Sequence, residues 1–348
     1  MPDKTSGFRH LNHYTDRSGY FKNAGNQKGK NMKRILLLGL IIWSSSQAIA
    51  QQNAHYTQYI FNGLIINPAY AGSKEVLNVS GTYRSQWAGL EGAPTTQTLS
   101  VDGAVMKNNI GLGFTGINDQ IGAQGQKSFN VSLAFRVKVG PEAKMALGFS
   151  GGASEYYTDG TRLIPIDGIH DSAIPTTKES SLLPDARAGL FFNTSRFYLG
   201  LSASNLIGFQ NKYQITPAPH YFLTSGFVFE LNQNLKFKPG FLVKEDFKSP
   251  TNLDVNAFLL IGDRVWLGGS YRSSLNLLKQ YEYPDGEQLS QNNAWALLTE
   301  LYISPRLKVG YSYDVTLTSL RGHASHEISL GIYFYKKEDS RSLTIRYF

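Results

Sequence analysis

Three kinds of residue in this sequence have the types and spacing that a catalytic or ligand-binding site could use. His323 and His326 stand three positions apart, which suits a metal ion or a Ser/His pair, but no third ligand has a clear place beside them. Residues 111–116 match the G-x-G-x-x-G fingerprint of dinucleotide sites, yet no helical pattern follows, as that fingerprint requires. We interpret the histidines as polar residues of an extracellular loop and the glycines as small residues on the inner face of a strand.

The third kind consists of carboxylates, which are scattered along the chain. Asp102, Asp254 and Asp314 each lie on the polar face of a different alternating segment, so the sequence identifies no acid/base couple among them. The chain contains no cysteine, which excludes disulfides, thiolate metal sites and cysteine nucleophiles. We therefore nominate no catalytic residue, cofactor site or metal site, and we expect the protein not to be an enzyme.

The net charge of +8 lies mostly at the start of the chain. Residues 1–31 carry six Lys or Arg and two acidic residues, a net +4, and Lys33 and Arg34 add two, which leaves +2 for everything that follows. Nucleic-acid binding by counterion release needs clustered basic residues, whereas the later charges are interleaved singly. The sequence therefore predicts no nucleic-acid partner.

The basic start continues into a secretory signal peptide, which we assign to residues 32–50. A basic pair precedes the apolar run 35–43 and the small-residue site 48–50, so cleavage is expected before Gln51. The apolar run is about half the roughly 20 residues of a membrane-spanning helix, which favours a signal peptide over a membrane anchor. Because signal peptides begin near their initiator, we expect residues 1–31 to be a mis-called, disordered extension.

After the signal peptide the chain alternates apolar and polar residues with the period of β-strands. In residues 308–315 every odd-numbered residue is apolar or aromatic, and residues 130–139 and 327–334 show the same two faces. We assign fourteen such segments to residues 75–85, 95–106, 109–118, 125–139, 142–157, 184–194, 196–206, 219–231, 234–245, 251–261, 263–274, 292–304, 306–316 and 326–335. The pattern predicts an all-β protein, a closed antiparallel transmembrane β-barrel of about 14 strands over residues 75–348, with its apolar faces toward lipid. A soluble exported β-sandwich is the alternative.

The predicted links between strands alternate in length. Links after even-numbered segments are tight, whereas those after odd-numbered segments are longer, up to 158–183 and 275–291. Bacterial outer-membrane barrels have short periplasmic turns and long extracellular loops. We therefore expect an outer-membrane location in a Gram-negative bacterium, with both termini periplasmic. We assign Trp87 and Trp266 to the aromatic girdles at the membrane interfaces.

Sequence motifs spread along the chain match those of a known family. Residues 58–62 lead into Asn67, Pro68, Ala69, Tyr70 and Gly72, which are followed by Tyr83, Arg84, Gln86 and Trp87. Further motifs occupy residues 92–97, 200–206, 220–222, 267–272, 310–314, 325–328 and 346–348. In these residues the chain resembles the PorP/SprF family of type IX secretion and gliding-motility membrane proteins of the Bacteroidetes. The long loops depart most from the family pattern.

This resemblance implies a non-enzymatic outer-membrane component of type IX secretion or gliding motility that helps secrete, localise or anchor cell-surface proteins. Its implied partners are outer-membrane lipid, a secreted adhesin-like surface protein and other secretion components. The nine named motif residues would be structural or partner-binding. An outer-membrane channel or hydrophobic-solute transporter is the alternative, since fourteen strands could enclose a lumen.

Residues 51–74, between the signal peptide and the first strand, form a separate predicted element. Pro68 and Gly72 forbid a regular helix there, yet the stretch is rich in aromatic and aliphatic residues. We expect an N-terminal plug or periplasmic lid for the barrel, and a plain linker is the alternative.

Overall fold

A computed structural model describes residues 57–163, 175–208, 217–275, 277, 293–318 and 320–335 of the chain. The predicted extension 1–31, the predicted signal peptide 32–50 and the C-terminal motif 346–348 lie outside the described residues. So do residues 51–56 and the central parts of the two long loops.

The alternating segments form fifteen antiparallel β-strands within the described residues, all in one sheet. The first eight are β1 (Leu77–Ser85), β2 (Thr95–Val105), β3 (Ile110–Ile121), β4 (Gln124–Lys138), β5 (Lys144–Asp159), β6 (Lys178–Asn193), β7 (Phe197–Ser204) and β8 (His220–Phe227). The others are β9 (Phe229–Asn232), β10 (Leu235–Glu245), β11 (Thr251–Ile261), β12 (Val265–Leu275), β13 (Ala294–Ser304), β14 (Leu307–Thr316) and β15 (Ala324–Phe334).

The sheet closes on itself as a barrel. Strand β1 pairs with both β2 and β15, and β10 pairs with β11 as well as with β8 and β9. Strands β8 and β9 are one strand interrupted at Val228, close to Pro239 of β10, which has no N–H to donate. Val228 donates its N–H instead to the carbonyl of Arg196, at 2.7 Å. The predicted fourteen-stranded closed barrel is therefore confirmed.

The apolar faces of the strands point away from the barrel interior. On β15, Ile328, Leu330 and Phe334 are 54%, 49% and 52% exposed, whereas Ser325 and Glu327 on the opposite face are buried. A soluble sandwich would bury the apolar face, so this exposure is the arrangement of a barrel whose outer wall meets hydrocarbon. Closure also gives every strand a paired neighbour on each side, as hydrocarbon requires, although β6 extends past β7 at one end.

Among the described residues, no helix combines the length and apolar character needed to cross a membrane.

The links gather at two ends of the barrel. One end, here called the turn end, holds the links 106–109, 139–143, 194–196, 233–234, 262–264 and 305–306. At the other, the loop end, lie the strand ends that are joined by the links 86–94, 122–123, 160–177, 205–219, 246–250, 276–293 and 317–323. The expected strict alternation of short and long links is wrong at 122–123, because β3 and β4 stay paired up to Ile121 and Gln124. It is also wrong at 246–250, which has the same length as 139–143.

The height of the wall differs around the barrel. Strands β4, β5 and β6 contain 15, 16 and 16 residues, whereas β7 and β8 contain eight each. Strand β6 pairs with β5 along its whole length but with β7 only from Ala188 to Asn193. At the loop end the wall is therefore higher at β6 than at β7. We call the boundary where β6 pairs with β7 the seam.

Candidate functional site

Residues 57–74, here called the lumenal segment, lie inside the barrel. Their hydrogen-bond partners are on strands all around the circumference: β1, β2, β4, β6, β7, β11, β14 and β15. The backbone forms three single 3-10 turns, Gln58–Phe61, Gly63–Ile65 and Pro68–Tyr70. Residues 57–74 are thus an ordered part of the barrel interior.

The sequence around Asn67 sets the local conformation of the lumenal segment. The Asn67 Oδ1 accepts a hydrogen bond from the N–H of Ala69 at 2.9 Å, and Pro68 occupies the first position of the turn. Gly72 then adopts a φ of +69°, which glycine tolerates without strain. The expectation that Pro68 and Gly72 prevent a regular helix is confirmed, since only one 3-10 turn forms between them.

The start of the segment is held by a cluster of charged and polar residues that we call the latch: Thr57, Gln58, Arg84, Asp314 and Glu327. The Glu327 carboxylate accepts the backbone N–H groups of Thr57 at 3.0 Å and Gln58 at 3.3 Å. Arg84 Nη1 lies 3.1 Å from Glu327 Oε2 and 2.8 Å from Asp314 Oδ2. It also donates to Thr57 Oγ1 at 2.8 Å. These five residues are buried, and the two carboxylates share Arg84 and the hydrogen-bond donors of Thr57 and Gln58 away from water.

The latch also fixes the direction in which the segment runs. Arg84 is one residue from the loop end of β1, and Glu327 is near the loop end of β15. Leu77, which follows the segment, begins β1 at the turn end. The lumenal segment therefore runs inside the barrel from the loop end to the turn end, and β1 then returns to the loop end.

We expect Glu327→Gln to weaken the hold on the first residues of the segment. The amide keeps the size of the side chain but removes the charge that two backbone N–H groups and Arg84 bind, a loss of about 1.5–3 kcal/mol. Denaturant unfolding in lipid vesicles and protease sensitivity near Thr57 would both report it. The control is Glu230→Gln, which removes a surface ion pair with Arg196 and should cost roughly 0–1 kcal/mol. Equal losses for the two variants would contradict the assigned role.

The middle of the segment is fastened to the seam between β6 and β7. Asn67 Nδ2 donates to the main-chain carbonyls of Leu190 at 2.9 Å and Leu201 at 3.3 Å. A Cβ placed on Gly189 would lie 2.1 Å from the Asn67 Oδ1. Ser202 Oγ donates to the carbonyl of Ile66 at 2.6 Å. Asn67 thus joins one strand to the next from inside the barrel.

Glycines on the inner faces of the strands let the segment backbone approach the wall. A Cβ on Gly148 would lie 2.2 Å from the amide nitrogen of Ala69, and one on Gly111 would lie 1.9 Å from the Ala71 carbonyl oxygen. Both are backbone atoms, which cannot move aside as a side chain can. The expectation that residues 111–116 carry small residues on an inner face is confirmed at Gly111, and no helix follows this motif.

The three scattered carboxylates all face the lumen, where each has partners. Asp102 accepts the N–H of Gly72 at 3.0 Å, Asp254 pairs with Arg272 at 2.9 Å, and Asp314 belongs to the latch. They lie on different strands and bind different groups, so they hold the segment or brace the wall. Among the described residues, no group of three or more His, Asp or Glu side chains is placed to hold a metal ion.

Aromatic side chains fill the remaining space between segment and wall. Tyr70 packs edge-on against Phe191 with ring centroids 5.3 Å apart, and Phe61 packs against Phe258 at 5.6 Å. Trp266 packs on Phe258 and is only 3% exposed, so its assignment to a membrane girdle is wrong. An interior occupied by apolar residues of the segment accepts large apolar side chains that a water-filled lumen would not.

The motif residues beyond the lumenal segment divide into three environments. Arg84 points into the lumen as part of the latch, whereas its neighbour Tyr83 points outward and is 46% exposed. Gln86 and Trp87 lie in the link between β1 and β2 at the loop end. The Trp87 indole N–H donates to Thr316 Oγ1 at 3.1 Å, which ties this link to the end of β14. The motif therefore marks the lumenal segment and the rim rather than one pocket.

The two histidines do not share one loop. His323 lies in the link before β15, but His326 is inside β15, because the pairing of β1 with β15 extends to Ser85 and His326. The His326 Nδ1 lies 2.8 Å from the hydroxyl of Tyr311. The assignment of His326 to a polar loop is therefore wrong.

Comparison with known proteins identifies a family and a set of barrel structures. A channel described as the CymD monoaromatic hydrocarbon channel is 11% identical, with a TM-score of 0.48 over 84% of this chain and 97% of that chain. The NanC porin is 10% identical, with a TM-score of 0.34 over 75% of this chain and 100% of that chain. No curated protein matches the sequence. The family model of the type IX secretion system membrane protein PorP/SprF matches residues 48–332.

Proposed function

Because this chain belongs to the PorP/SprF family of type IX secretion system membrane proteins, we propose that it retains a secreted protein at the cell surface from within the outer membrane. In this role it is a non-enzymatic anchor whose strands fix it in the bilayer. Its partners are outer-membrane lipid, an adhesin-like secreted protein and other components of the secretion system.

One observation carries the proposal: the lumenal segment occupies the inside of the barrel. Its backbone approaches wall glycines, and its backbone and side chains together form hydrogen bonds with eight strands, so the segment serves as a plug. A plugged barrel suits an anchor better than a conduit, because solute passage needs a free lumen. The alternative of a channel or hydrophobic-solute transporter requires this segment to leave.

The proposed orientation places the turn end in the periplasm and the loop end outside the cell. The start of β1 and the end of β15 both lie at the turn end. The two longest links, 160–177 and 276–293, are then extracellular. Since these links lie outside the strand ladder, they can carry recognition without weakening the barrel.

We expect shortening of either long link, 160–177 or 276–293, to release the secreted partner into the medium. The barrel should remain inserted at unchanged abundance, because the strand pairing on each side of the link is intact. Immunoblots of medium, cell surface and membrane fractions would measure both quantities. Co-purification from native membranes with mass spectrometry would identify the partner.

A different result would move the recognition site. If both shortened proteins leave every secreted protein in place, and only removal of residues 57–74 mislocalises them, the partner binds through the lumenal segment. The long links would then have no part in retention, which contradicts the proposed role of the loop end.

A further inference from the structure

The outward face of the barrel carries an apolar groove of about 390 Å³ at the seam between β6 and β7. Its long side is a row of cross-strand neighbours on five adjoining strands: Leu147, Leu190, Leu201, Leu223 and Val243. This volume is within the roughly 300–1,000 Å³ typical of small-molecule sites. The groove is a depression in the outward face of the barrel wall.

Small residues and the drop in the wall create this depression. The next outward-facing pair toward the loop end is Ala188 opposite Ala203, whose methyl groups leave the space between larger neighbours unfilled. One residue further, β7 ends at Ser204, whereas β6 continues ten residues beyond Ala188 to Lys178. The groove therefore lies where the strand pairing of the wall becomes incomplete.

Tyr221 and Glu245 line the loop-end side of the groove. The Tyr221 ring packs edge-on against Phe247, with centroids 5.5 Å apart. The Glu245 carboxylate accepts hydrogen bonds from Thr251 Oγ1 at 2.5 Å and from the N–H of Phe247 at 2.7 Å. Since the carboxylate is hydrogen-bonded within the chain, the groove presents apolar surface to whatever occupies it.

We propose that this groove binds one acyl chain of a membrane lipid. The groove is continuous with the apolar outer wall, where Leu190 and Leu201 are 46% and 48% exposed, so its surroundings in the bilayer are hydrocarbon. The lining is mostly apolar, so water would gain few hydrogen bonds by entering. A flexible alkyl chain fills an elongated apolar groove and leaves its headgroup at the membrane surface.

The proposed acyl chain lies on the outer side of the wall, opposite the position where Asn67 binds on the inner side. The side chains of Leu190 and Leu201 line the groove outside, while their main-chain carbonyls receive the Asn67 amide inside. Lipid and lumenal segment therefore pack on opposite sides of the same residue pair. An occupied groove supports a seam that has only six paired residues on β6.

The test is native mass spectrometry of protein reconstituted in phosphatidylethanolamine nanodiscs and released into detergent. We expect the wild-type protein to retain one lipid. Ala203→Leu fills the groove and should lower that retention about tenfold, the equivalent of roughly two displaced methylenes. The matched control, Ala257→Leu, adds the same group on the exposed outward face of β11 and should retain lipid as the wild type does.

A second measurement needs no variant. A phosphatidylethanolamine with a photoactivatable acyl chain should label wild-type peptides that contain Leu201 and Leu223 more than other outward strands. Uniform labelling around the barrel, or equal lipid retention by Ala203→Leu and wild-type protein, would overturn the proposal. Cross-linking of the groove to a neighbouring protein in native membranes would overturn it as well.

Discussion

We expect the Gly148→Val protein to conduct ions across a planar lipid bilayer, whereas the wild-type protein conducts almost none. A Cβ at this position would lie 2.2 Å from the amide nitrogen of Ala69 and 2.4 Å from its Cα. No rotamer relieves a clash between Cβ and backbone, so the turn Pro68–Tyr70 must leave the wall. Losing that turn pulls Asn67 from the seam and opens a path beside the segment.

The control for this experiment is Gly151→Val on the same strand. Gly151 is exposed on the outward face, and a Cβ there meets nothing within 4 Å. This variant should insert and remain closed, which separates loss of the plug from a general effect of valine in β5. A wild-type barrel that already conducts as Gly148→Val does would support the channel alternative and contradict the proposed anchor.

The second large effect is expected from Leu330→Arg. Leu330 points outward from the middle of β15, where it pairs with Gly81 and Val309 on the neighbouring strands. An arginine there must enter the hydrocarbon near the bilayer midplane, which destabilises outer-membrane barrels by roughly 2–4 kcal/mol. Reversible unfolding in urea from phospholipid vesicles would measure the difference in the free energy of unfolding.

The matched control is Leu77→Arg, which introduces the same charge at a different depth. Leu77 is outward as well, 46% exposed, but it begins β1 at the turn end and pairs with Phe334. Its arginine can reach the headgroup region, so the loss should fall to roughly 0–1 kcal/mol. Equal losses at the two positions would show that the outer wall does not face a bilayer.

The strands could be predicted from the sequence because a membrane barrel imposes one rule at every residue. Because lipid lies on one side of the wall and a packed interior on the other, apolar and polar side chains alternate with a period of two, as in residues 308–315 and 327–334. The fourteen-strand barrel and its outward apolar faces follow from this pattern. The link at 122–123 was mispredicted because the polar ends of β3 and β4 carry little alternation, although they remain paired.

The latch could not be predicted, because its members are brought together only by closure of the barrel. Thr57 and Glu327 are far apart in sequence, and each of them looks like an ordinary polar residue. Arg84 was singled out through the family motif alone, which gave no reason for its charge. The available signal was a glutamate on the inner face of a strand, a position where a buried charge needs a partner.

The location of Trp266 could not be predicted from the alternation of apolar and polar strand faces either. An aromatic residue near a strand end can lie at the membrane interface or in the barrel interior, and the interface is the more common location. Trp266 lies inside because Phe258 of the wall and Ile60 and Phe61 of the lumenal segment form an apolar interior at its level. Its position could be predicted only by knowing that the lumen is filled.

The latch bears on the order in which the protein assembles. The hydrogen bond from Thr57 to Glu327 joins residues 270 positions apart, so it cannot form until the last described strand has been delivered. Arg84 stands on β1 and Glu327 on β15, the two strands whose pairing closes the ring. The start of the lumenal segment is thus fixed in place only after the final described strand has docked, whereas its middle can bind β6 and β7 earlier. This contact is among the least local in the chain, so we expect the latch to close late in assembly, from the inside of the barrel.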